Sequence, residues 1–216
     1  MRTPIPVWYT VCGETMRRIN DTYTTEFIIN KSRFISTLCP VRDSEDMKAA
    51  LESVRQAYPG ANHHCHASMI GPGGEQQIAS DDGEPSRTAG VPILDVIRHH
   101  DVTDVLLVVT RYFGGIKLGA GGLVRAYTKA AASVLHDARF VRPVTLEVHR
   151  IVFAYDMIDT VEHLMKDKAT ILDRDFGEHV TFDISIDPMD MHLVDGIRHR
   201  LIDARMTGTK EIFIPD

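Results

Sequence analysis

The sequence DVLLVVTRYFGGIKLGAGGLVRAYTKAAASVLH occupies residues 104–136 and decides how we expect this chain to fold. The stretch 104–110, with its apolar run 105–109, predicts a buried strand, and the residues from about 123 to 136 predict a helix. Between them lies a loop with five glycines in nine residues, which leaves backbone N–H groups open to a ligand or to another chain. Strand, glycine-rich loop and helix, with basic groups at the junction, predict an anion-binding site.

The charges around this loop favour the same interpretation. No acidic residue occurs between Asp104 and Asp137, and the second half of the loop runs into a helix whose Arg125 and Lys129, four residues apart, share one face. The loop is not a Walker A sequence, because Leu118 follows Lys117. Alternatively, the glycines only permit close packing and the cations are solvated. The candidate residues for binding RNA or phosphate are Arg111, Tyr112, Gly114, Gly115, Lys117, Gly119, Gly121, Gly122, Arg125 and Lys129.

Upstream of this stretch, hydrophobic periodicity and turn residues predict a mixed domain. The expected elements are two short strands or a hairpin over 26–41 with a break at Lys31-Ser32, a helix over 44–58, a strand over 63–70, a turn at 71–74, and a helix over 90–100. Asp43 or Ser44 is the expected cap of the first helix.

An acidic loop, Ser80-Asp81-Asp82-Gly83-Glu84-Pro85, precedes the second helix. Asp81, Asp82 and Glu84 could hold a hard cation such as magnesium. Turn formation, with Thr88 capping the helix, explains the loop equally well. In a third alternative these carboxylates pair with Arg111, Lys117 or Arg125 in a structural role.

Histidines surround a cysteine in His63-His64-Cys65-His66. On a strand their side chains alternate, so at most two of them share a face, and a zinc site would need further ligands. We assign no metal.

The C-terminal part differs from the rest in charge. Up to Phe140 there are 15 basic and 15 acidic residues, whereas 9 basic and 15 acidic residues follow from Val141 onward. We place a domain boundary near Arg142, giving domains 1–142 and 143–216. Periodicity in the second predicts a βαββαβ order, which is ferredoxin-like. Its elements are strands over 145–155, 170–176, 179–186 and 210–214, and helices from 158 to 165 and from Pro188 to Arg205.

Length and composition exclude several classes of protein. The 216 residues, 44% hydrophobic and 25% charged, are typical of a globular α+β protein of one or two domains. The longest aliphatic run is far shorter than the ~20 residues of a membrane helix, so we expect no membrane partner. Three widely spaced cysteines, Cys12, Cys39 and Cys65, indicate free thiols and a cytoplasmic location.

Several motifs together resemble one family, the YigZ/IMPACT family in its bacterial stand-alone form. They are Lys31-Ser32-Arg33-Phe34-Ile35, Asn62-His63-His64-Cys65, the acidic loop with Thr88-Ala89-Gly90, and Arg111 to Gly119 continuing to Tyr127. The resemblance implies an N-terminal domain like domain 2 of ribosomal protein S5, a ferredoxin-like C-terminal domain, and a role in translation.

Three functions follow as hypotheses. The first is a translation-associated regulator that binds RNA or the ribosome through the glycine-rich basic loop, with Tyr112 or Phe113 available for stacking. The second is an enzyme acting on a phosphate or nucleotide ligand with magnesium on the acidic loop. The third is a protein-interaction module whose acidic C-terminal domain binds a basic partner. We assign no catalytic residue and no cofactor.

Overall fold

The structure is a computed structural model, and it describes residues 16–216. Cys12, one of the three predicted free thiols, lies outside the described residues. The described chain divides into two compact units, one of residues 16–142 with Pro215–Asp216 and one of Pro143–Ile214. No helix within residues 16–216 is long and apolar enough to span a membrane.

The first unit is a five-stranded sheet with helices on both faces. Its strands are β1 (Tyr23–Ile29), β2 (Ser32–Pro40), β3 (His63–Ile70), β4 (Gln76–Ser80) and β5 (Val105–Tyr112). Its helices are α1 (Ser44–Ala57), α2 (Gly90–His99) and α3 (Ala120–Asp137). The strands run in the order β1-β2-β5-β3-β4, and each neighbouring pair is antiparallel.

The apolar run that opens the decisive stretch forms the central strand. Val105, Leu107 and Val109 of β5 pack into a core with α2 and α3, whereas Leu106 and Val108 pack with α1 on the opposite face. Because both faces are covered, the strand is apolar without alternation. This explains why a continuous hydrophobic run, rather than a two-residue period, predicts it correctly.

Most predicted elements of this unit are confirmed. The break at Lys31-Ser32 is the turn of the β1–β2 hairpin, and the carboxylate of Asp43 caps α1 by accepting the N–H groups of Glu45 and Asp46. Strand β4 was not predicted, because it is an exposed edge strand without an alternating pattern. The prediction that Thr88 caps α2 is wrong, since its hydroxyl donates to the carbonyl of Pro85 at 2.6 Å.

The second unit has the predicted βαββαβ order. It contains β6 (Val141–Phe153), α4 (Ile158–Met165), β7 (Ala169–Phe176), β8 (Val180–Ile186), α5 (His192–Ile197) and β9 (Asp203–Pro215). The sheet order is β7-β8-β6-β9, and β8 is antiparallel to both β6 and β7. The first βαβ connection is therefore split by β8, as in ferredoxin-like domains. The α+β fold class is thus confirmed.

The predicted helix from Pro188 to Arg205 is wrong at both ends. Regular α-helix is limited to α5, with short 3₁₀ turns before and after it. The N–H of Ile202 donates to the carbonyl of Val152 in β6 at 2.7 Å, and β9 begins at the next residue. Because β6 supplies hydrogen-bond partners for the backbone here, β9 begins at Asp203, seven residues before the predicted start of the last strand at Lys210.

Candidate functional site

The acidic loop is held in place by its first carboxylate. Asp81 accepts backbone N–H groups from Arg87 at 2.7 Å, Ala89 at 3.0 Å and Gly90 at 2.9 Å, at the start of α2. Burial raises the pKa of Asp81, but these backbone N–H groups outweigh it and the pKa is lowered overall. Asp81 therefore takes the helix-capping role that the sequence suggested for Thr88.

The second carboxylate fixes the start of β3. The Asp82 carboxylate accepts a hydrogen bond from the backbone N–H of His64 at 2.6 Å, and the Asp82 backbone carbonyl accepts one from Nδ1–H of His63 at 2.9 Å. Arg55 of α1 lies 3.4 Å from the same carboxylate. With Nδ1 of His63 engaged in this way, its Nε2 is the ring atom left to face Glu84, 3.9 Å away.

The third carboxylate forms a buried ion pair with the predicted binding residue Arg111. Nη1 of Arg111 lies 2.5 Å from Oε1 of Glu84, and the two side chains are only 5% and 4% exposed. The Tyr127 hydroxyl of α3 donates to the same oxygen at 2.9 Å. The alternative in which acidic-loop carboxylates pair with these cations is confirmed for this pair.

Two further buried groups complete this network. The Sγ of Cys65 lies 2.9 Å from the carbonyl of Asp81 and 3.3 Å from the Tyr127 hydroxyl. Burial is the main cause that raises the pKa of Cys65 to about 12, and burial likewise raises the pKa of Tyr127. Both groups are therefore neutral at physiological pH and serve as structural hydrogen-bonding groups rather than nucleophiles.

The three carboxylates consequently do not meet at one point. Asp81 caps a helix, Asp82 holds the start of β3, and Glu84 pairs with Arg111. Within residues 16–216 no group of three or more His, Cys, Asp or Glu side chains is arranged to hold a metal ion. Each carboxylate of the acidic loop is thus engaged in a separate contact within the first unit.

The predicted extent of the loop is wrong at its end, because α3 begins at Ala120 and therefore includes Gly121 and Gly122. The three glycines that remain in the loop serve two different purposes. A Cβ atom at Gly114 would lie 2.0 Å from the backbone carbon of Lys31, so this residue is needed for close packing on the β1–β2 turn. Gly115 and Gly119 have φ of 84° and 70° with nothing within 4 Å of their missing Cβ atoms. They are needed for backbone conformation, and they leave the surface of the loop open.

The N-terminus of α3 follows directly. Gly119 occupies its N-cap position without a side chain to accept the first N–H groups, and the first turn contains no acidic residue. An 18-residue helix therefore presents an uncompensated positive end at the glycine-rich loop.

The other predicted cations remain at the surface. Lys117, Arg125 and Lys129 are exposed, and the ammonium group of Lys129 lies 5.0 Å from the centroid of the Phe27 ring. Nη1 of Arg125 lies close to Gly121, 3.6 Å from the position that a Cβ atom at Gly121 would occupy. Tyr112 is half-buried and donates its hydroxyl to the carbonyl of Pro59 at 3.2 Å, on a side of β5 that does not line the cavity described next.

A cavity of about 430 Å³ brings several of these features together. It is lined by Asn62, His63, Glu84, Pro85, Arg111, Phe113, Lys117, Leu118, Gly119, Ala120 and Leu123. The β3–β5 register pairs His63 with Arg111, so both side chains emerge on the same face of the sheet, and the loop after β5 closes over them. Its size is within the ~300–1,000 Å³ of typical ligand pockets.

The structure divides the predicted site residues around this cavity. Arg111, Lys117 and Gly119 line it, whereas Arg125 and Lys129 lie on later turns of α3, outside it. Phe113, one of the two aromatic residues predicted to be available for stacking, also lines the cavity. Asn62 and His63 line it as well, although they were not among the predicted binding residues. The signal for them was the Asn62-His63 motif, which is adjacent to Arg111 only through strand pairing.

A larger cavity of about 510 Å³ lies in the second unit, between α4 and β7. Its charged lining residues include both signs, among them Glu162, Lys166, Asp167 and Arg174. Because these charges balance, this cavity favours no ligand of one sign.

Comparison with known proteins agrees with the motifs. The Impact N-terminal domain model matches residues 30–135. The IMPACT family member YvyE of Bacillus subtilis is 36% identical over 163 residues, 75% of this chain and 75% of that protein. YigZ of Escherichia coli, also an IMPACT family member, is 41% identical over 139 residues, 63% of this chain and 68% of that protein.

Solved structures add a match over most of the chain. The crystal structure of a hypothetical protein is 33% identical, with a TM-score of 0.59, covering 88% of this chain and 96% of that one. The two-domain translational regulator Yih1 aligns with 22% identity and a TM-score of 0.33 over 64% of this chain and 52% of Yih1. On its motifs and on the extent of its match to YvyE, this chain belongs to the IMPACT family.

Proposed function

We propose that this protein is a cytoplasmic, translation-associated regulator that binds RNA phosphate, on the ribosome or free, through the 430 Å³ cavity and the α3 N-terminus beside it. One observation carries the proposal: an uncapped helix N-terminus and the exposed Lys117 meet at a cavity whose buried carboxylate is already neutralised by Arg111. Charge on the wall of this cavity is therefore positive, and a polyanion is the matching ligand.

The exposed cations on α3 extend this surface beyond the cavity. Arg125 and Lys129 are solvent-exposed on successive turns of the helix, so neighbouring phosphates of a bound strand would meet them. Of the two roles that the sequence allows for Arg111, we infer the structural one, because Glu84 and the hydroxyl of Ser32 engage its guanidinium. It supports the floor of the cavity, and Lys117, Arg125 and Lys129 supply the charge.

Filter binding of single-stranded ribosomal RNA fragments at several salt concentrations tests this proposal. For single strands the slope of log K against log salt is about −0.7 per phosphate contact, so Lys117→Ala should weaken binding and make the slope shallower by about 0.7. Lys48→Ala is the matched control, because Lys48 is equally exposed on α1, which packs on the opposite face of the sheet. Binding that is absent, or that does not depend on salt, contradicts the proposal.

A second candidate rests on the acidic second unit. Asp173 and Asp175 are exposed on β7, whereas the carboxylate of Asp183 on the neighbouring strand is already paired with Arg150. Such a surface repels RNA and suits a basic protein, for example one of the ribosome. Co-sedimentation with ribosomal particles from the cell extract should then be weakened by Asp173→Asn with Asp175→Asn, and unchanged by Lys117→Ala. Loss with Lys117→Ala alone assigns ribosome binding to the cavity instead.

A further inference from the structure

We infer that the cavity of the first unit accepts one terminal nucleotide unit, recognised by its phosphate monoester and by stacking of its base on Phe113. This inference deepens the proposed RNA binding and rests on it. The proposed RNA binding requires only a polyanion, whereas a terminal nucleotide is a specific part of the RNA that would enter the cavity.

The floor of the cavity indicates that a strand ends there. Glu84, Arg111 and Leu123 line it and are themselves almost fully buried, and Tyr127 lies behind the ion pair with no exposed surface. A unit that enters meets packed protein, so a nucleic acid chain does not continue through this end. A chain terminus or a free nucleotide fits such a cavity better than the interior of a strand.

The polar groups of the wall suit a phosphate with more than one negative charge. Lys117 lies on it with no ion pair among the described residues, and Gly119 and Ala120 bring the free N–H groups of the α3 N-terminus. A phosphate monoester carries a charge of about −1.5 to −2 at neutral pH, whereas a diester carries a single charge. The uncapped helix end and the lysine therefore favour a terminal phosphate over an internal one.

An independent observation concerns Arg111. Its side chain lines the cavity at 5% exposure, and its Nε–H is one of the few buried polar groups in the described chain without a hydrogen-bond partner. Buried donors are nearly always paired in folded proteins. The guanidinium that lines the cavity thus carries one buried donor that neither Glu84 nor Ser32 engages.

The aromatic wall accounts for the base. Phe113 lines the cavity with 45% of its surface exposed, although large apolar side chains are normally buried. Its backbone is held in place, since Oδ1 of Asn62 accepts its N–H at 2.8 Å, and the guanidinium of Arg111 lies 5.4 Å from its ring centroid. An exposed aromatic ring beside a phosphate site is an arrangement on which unpaired bases stack.

Competition filter binding with one short single-stranded RNA tests the inference. Four competitors are compared at constant salt: the RNA with a 5′-phosphate, with a 3′-phosphate and with hydroxyls at both ends, and free nucleoside monophosphates. One of the phosphate-ended RNAs should bind about tenfold more tightly than the hydroxyl-ended RNA. Competition by free mononucleotides as well identifies the nucleotide unit itself as sufficient.

Two variants separate the phosphate from the base. Lys117→Ala should abolish the preference for the phosphate-ended RNA. Phe113→Leu should weaken every RNA about tenfold and keep that preference. Phe176→Leu is the matched control, because Phe176 is 56% exposed in the second unit. Melting temperatures establish that each variant is folded.

The two proposals fail in different ways. Equal binding of phosphate-ended and hydroxyl-ended RNA, with a salt dependence that Lys117→Ala reduces, overturns the terminal-nucleotide inference and leaves RNA binding intact. Unchanged binding in Phe113→Leu overturns the stacking arrangement. Absence of any salt-dependent RNA binding overturns the proposed function itself.

Discussion

Glu84→Gln should destabilise the first unit by about 3 kcal/mol. The substitution keeps the shape of the side chain but removes the charge that neutralises Arg111, whose side chain is 5% exposed. Removing one partner of a buried ion pair costs about 3–5 kcal/mol, because the remaining charge is left in a poorly solvated site. We expect the lower end of this range, since the glutamine oxygen can still accept the Tyr127 hydroxyl that now donates to Glu84 at 2.9 Å.

The chain contains a matched control for this substitution. Glu26 accepts Nε and Nη2 of Arg33 at 2.7 and 2.8 Å, which is a bidentate ion pair of good geometry. Both side chains are more than 40% exposed. Solvent screening limits such pairs to about 0–1 kcal/mol, so Glu26→Gln should change the free energy of unfolding by less than 1 kcal/mol.

Urea unfolding followed by circular dichroism measures the free energy of unfolding of both variants. Hydrogen exchange shows which of the two units loses stability. Because the chain has two units, a single transition need not describe it, so exchange of β5 amides is compared with exchange of β8 amides. Glu84→Gln should reduce protection in β5 and leave β8 unchanged. A loss below about 1 kcal/mol, equal to that of Glu26→Gln, would refute the assignment of a buried, structurally required ion pair.

Three further predictions concern the loops and the thiols. Asp81→Ala should lower the free energy of unfolding in urea by about 2 kcal/mol, because α2 loses its cap. The difference between this variant and the parent chain should shrink as the pH falls through the lowered pKa of Asp81, because the parent carboxylate is then protonated and no longer charged. Gly114→Ala should cost at least about 3 kcal/mol through backbone overlap, whereas Gly115→Ala should cost only the strain of its positive φ, about 1–2 kcal/mol. In a Cys12→Ser background, a thiol reagent at neutral pH should label nothing until urea unfolds the chain, because both described cysteines are buried and the pKa of Cys65 is raised to about 12. Rapid labelling of the folded protein would contradict the burial of Cys39 or Cys65, and the modified residue identifies which.

The local part of the fold was predictable because local physics determines it. Asp43 caps α1 whatever its tertiary surroundings, and the break at Lys31-Ser32 produces the β1–β2 turn, in which Lys31 adopts a positive φ of 61°. The two-residue and 3.6-residue periods of the hydrophobic residues likewise predict the βαββαβ order of the second unit. The misplaced end of the last helix shows the limit, since Ile202 is extended only because β6 offers it a hydrogen-bond acceptor.

The site was predicted in part for the same reason. The open glycines and the uncapped α3 N-terminus are properties of consecutive residues, and the sequence indicated them. The role of Arg111 depends on strand pairing, because β5 must lie beside β3 before Glu84, His63 and Arg111 can meet. The sequence offered a pairing of the acidic-loop carboxylates with Arg111, Lys117 or Arg125 as one alternative, but only the structure shows that Glu84, 27 residues before Arg111, is the carboxylate that neutralises it.

This arrangement decides which substitutions can report on function. Arg111 is the residue that a sequence-based experiment would change first, yet its loss would leave Glu84 as a buried unpaired anion and disturb the floor of the cavity. Loss of RNA binding in such a variant would not distinguish unfolding from a lost contact. Lys117 and Phe113 are exposed and their side chains contribute little to the core, so their substitution changes what the cavity can bind while the ion pair beneath keeps its shape. Function in this protein is therefore best tested on the wall of the cavity, because its floor is required for the fold.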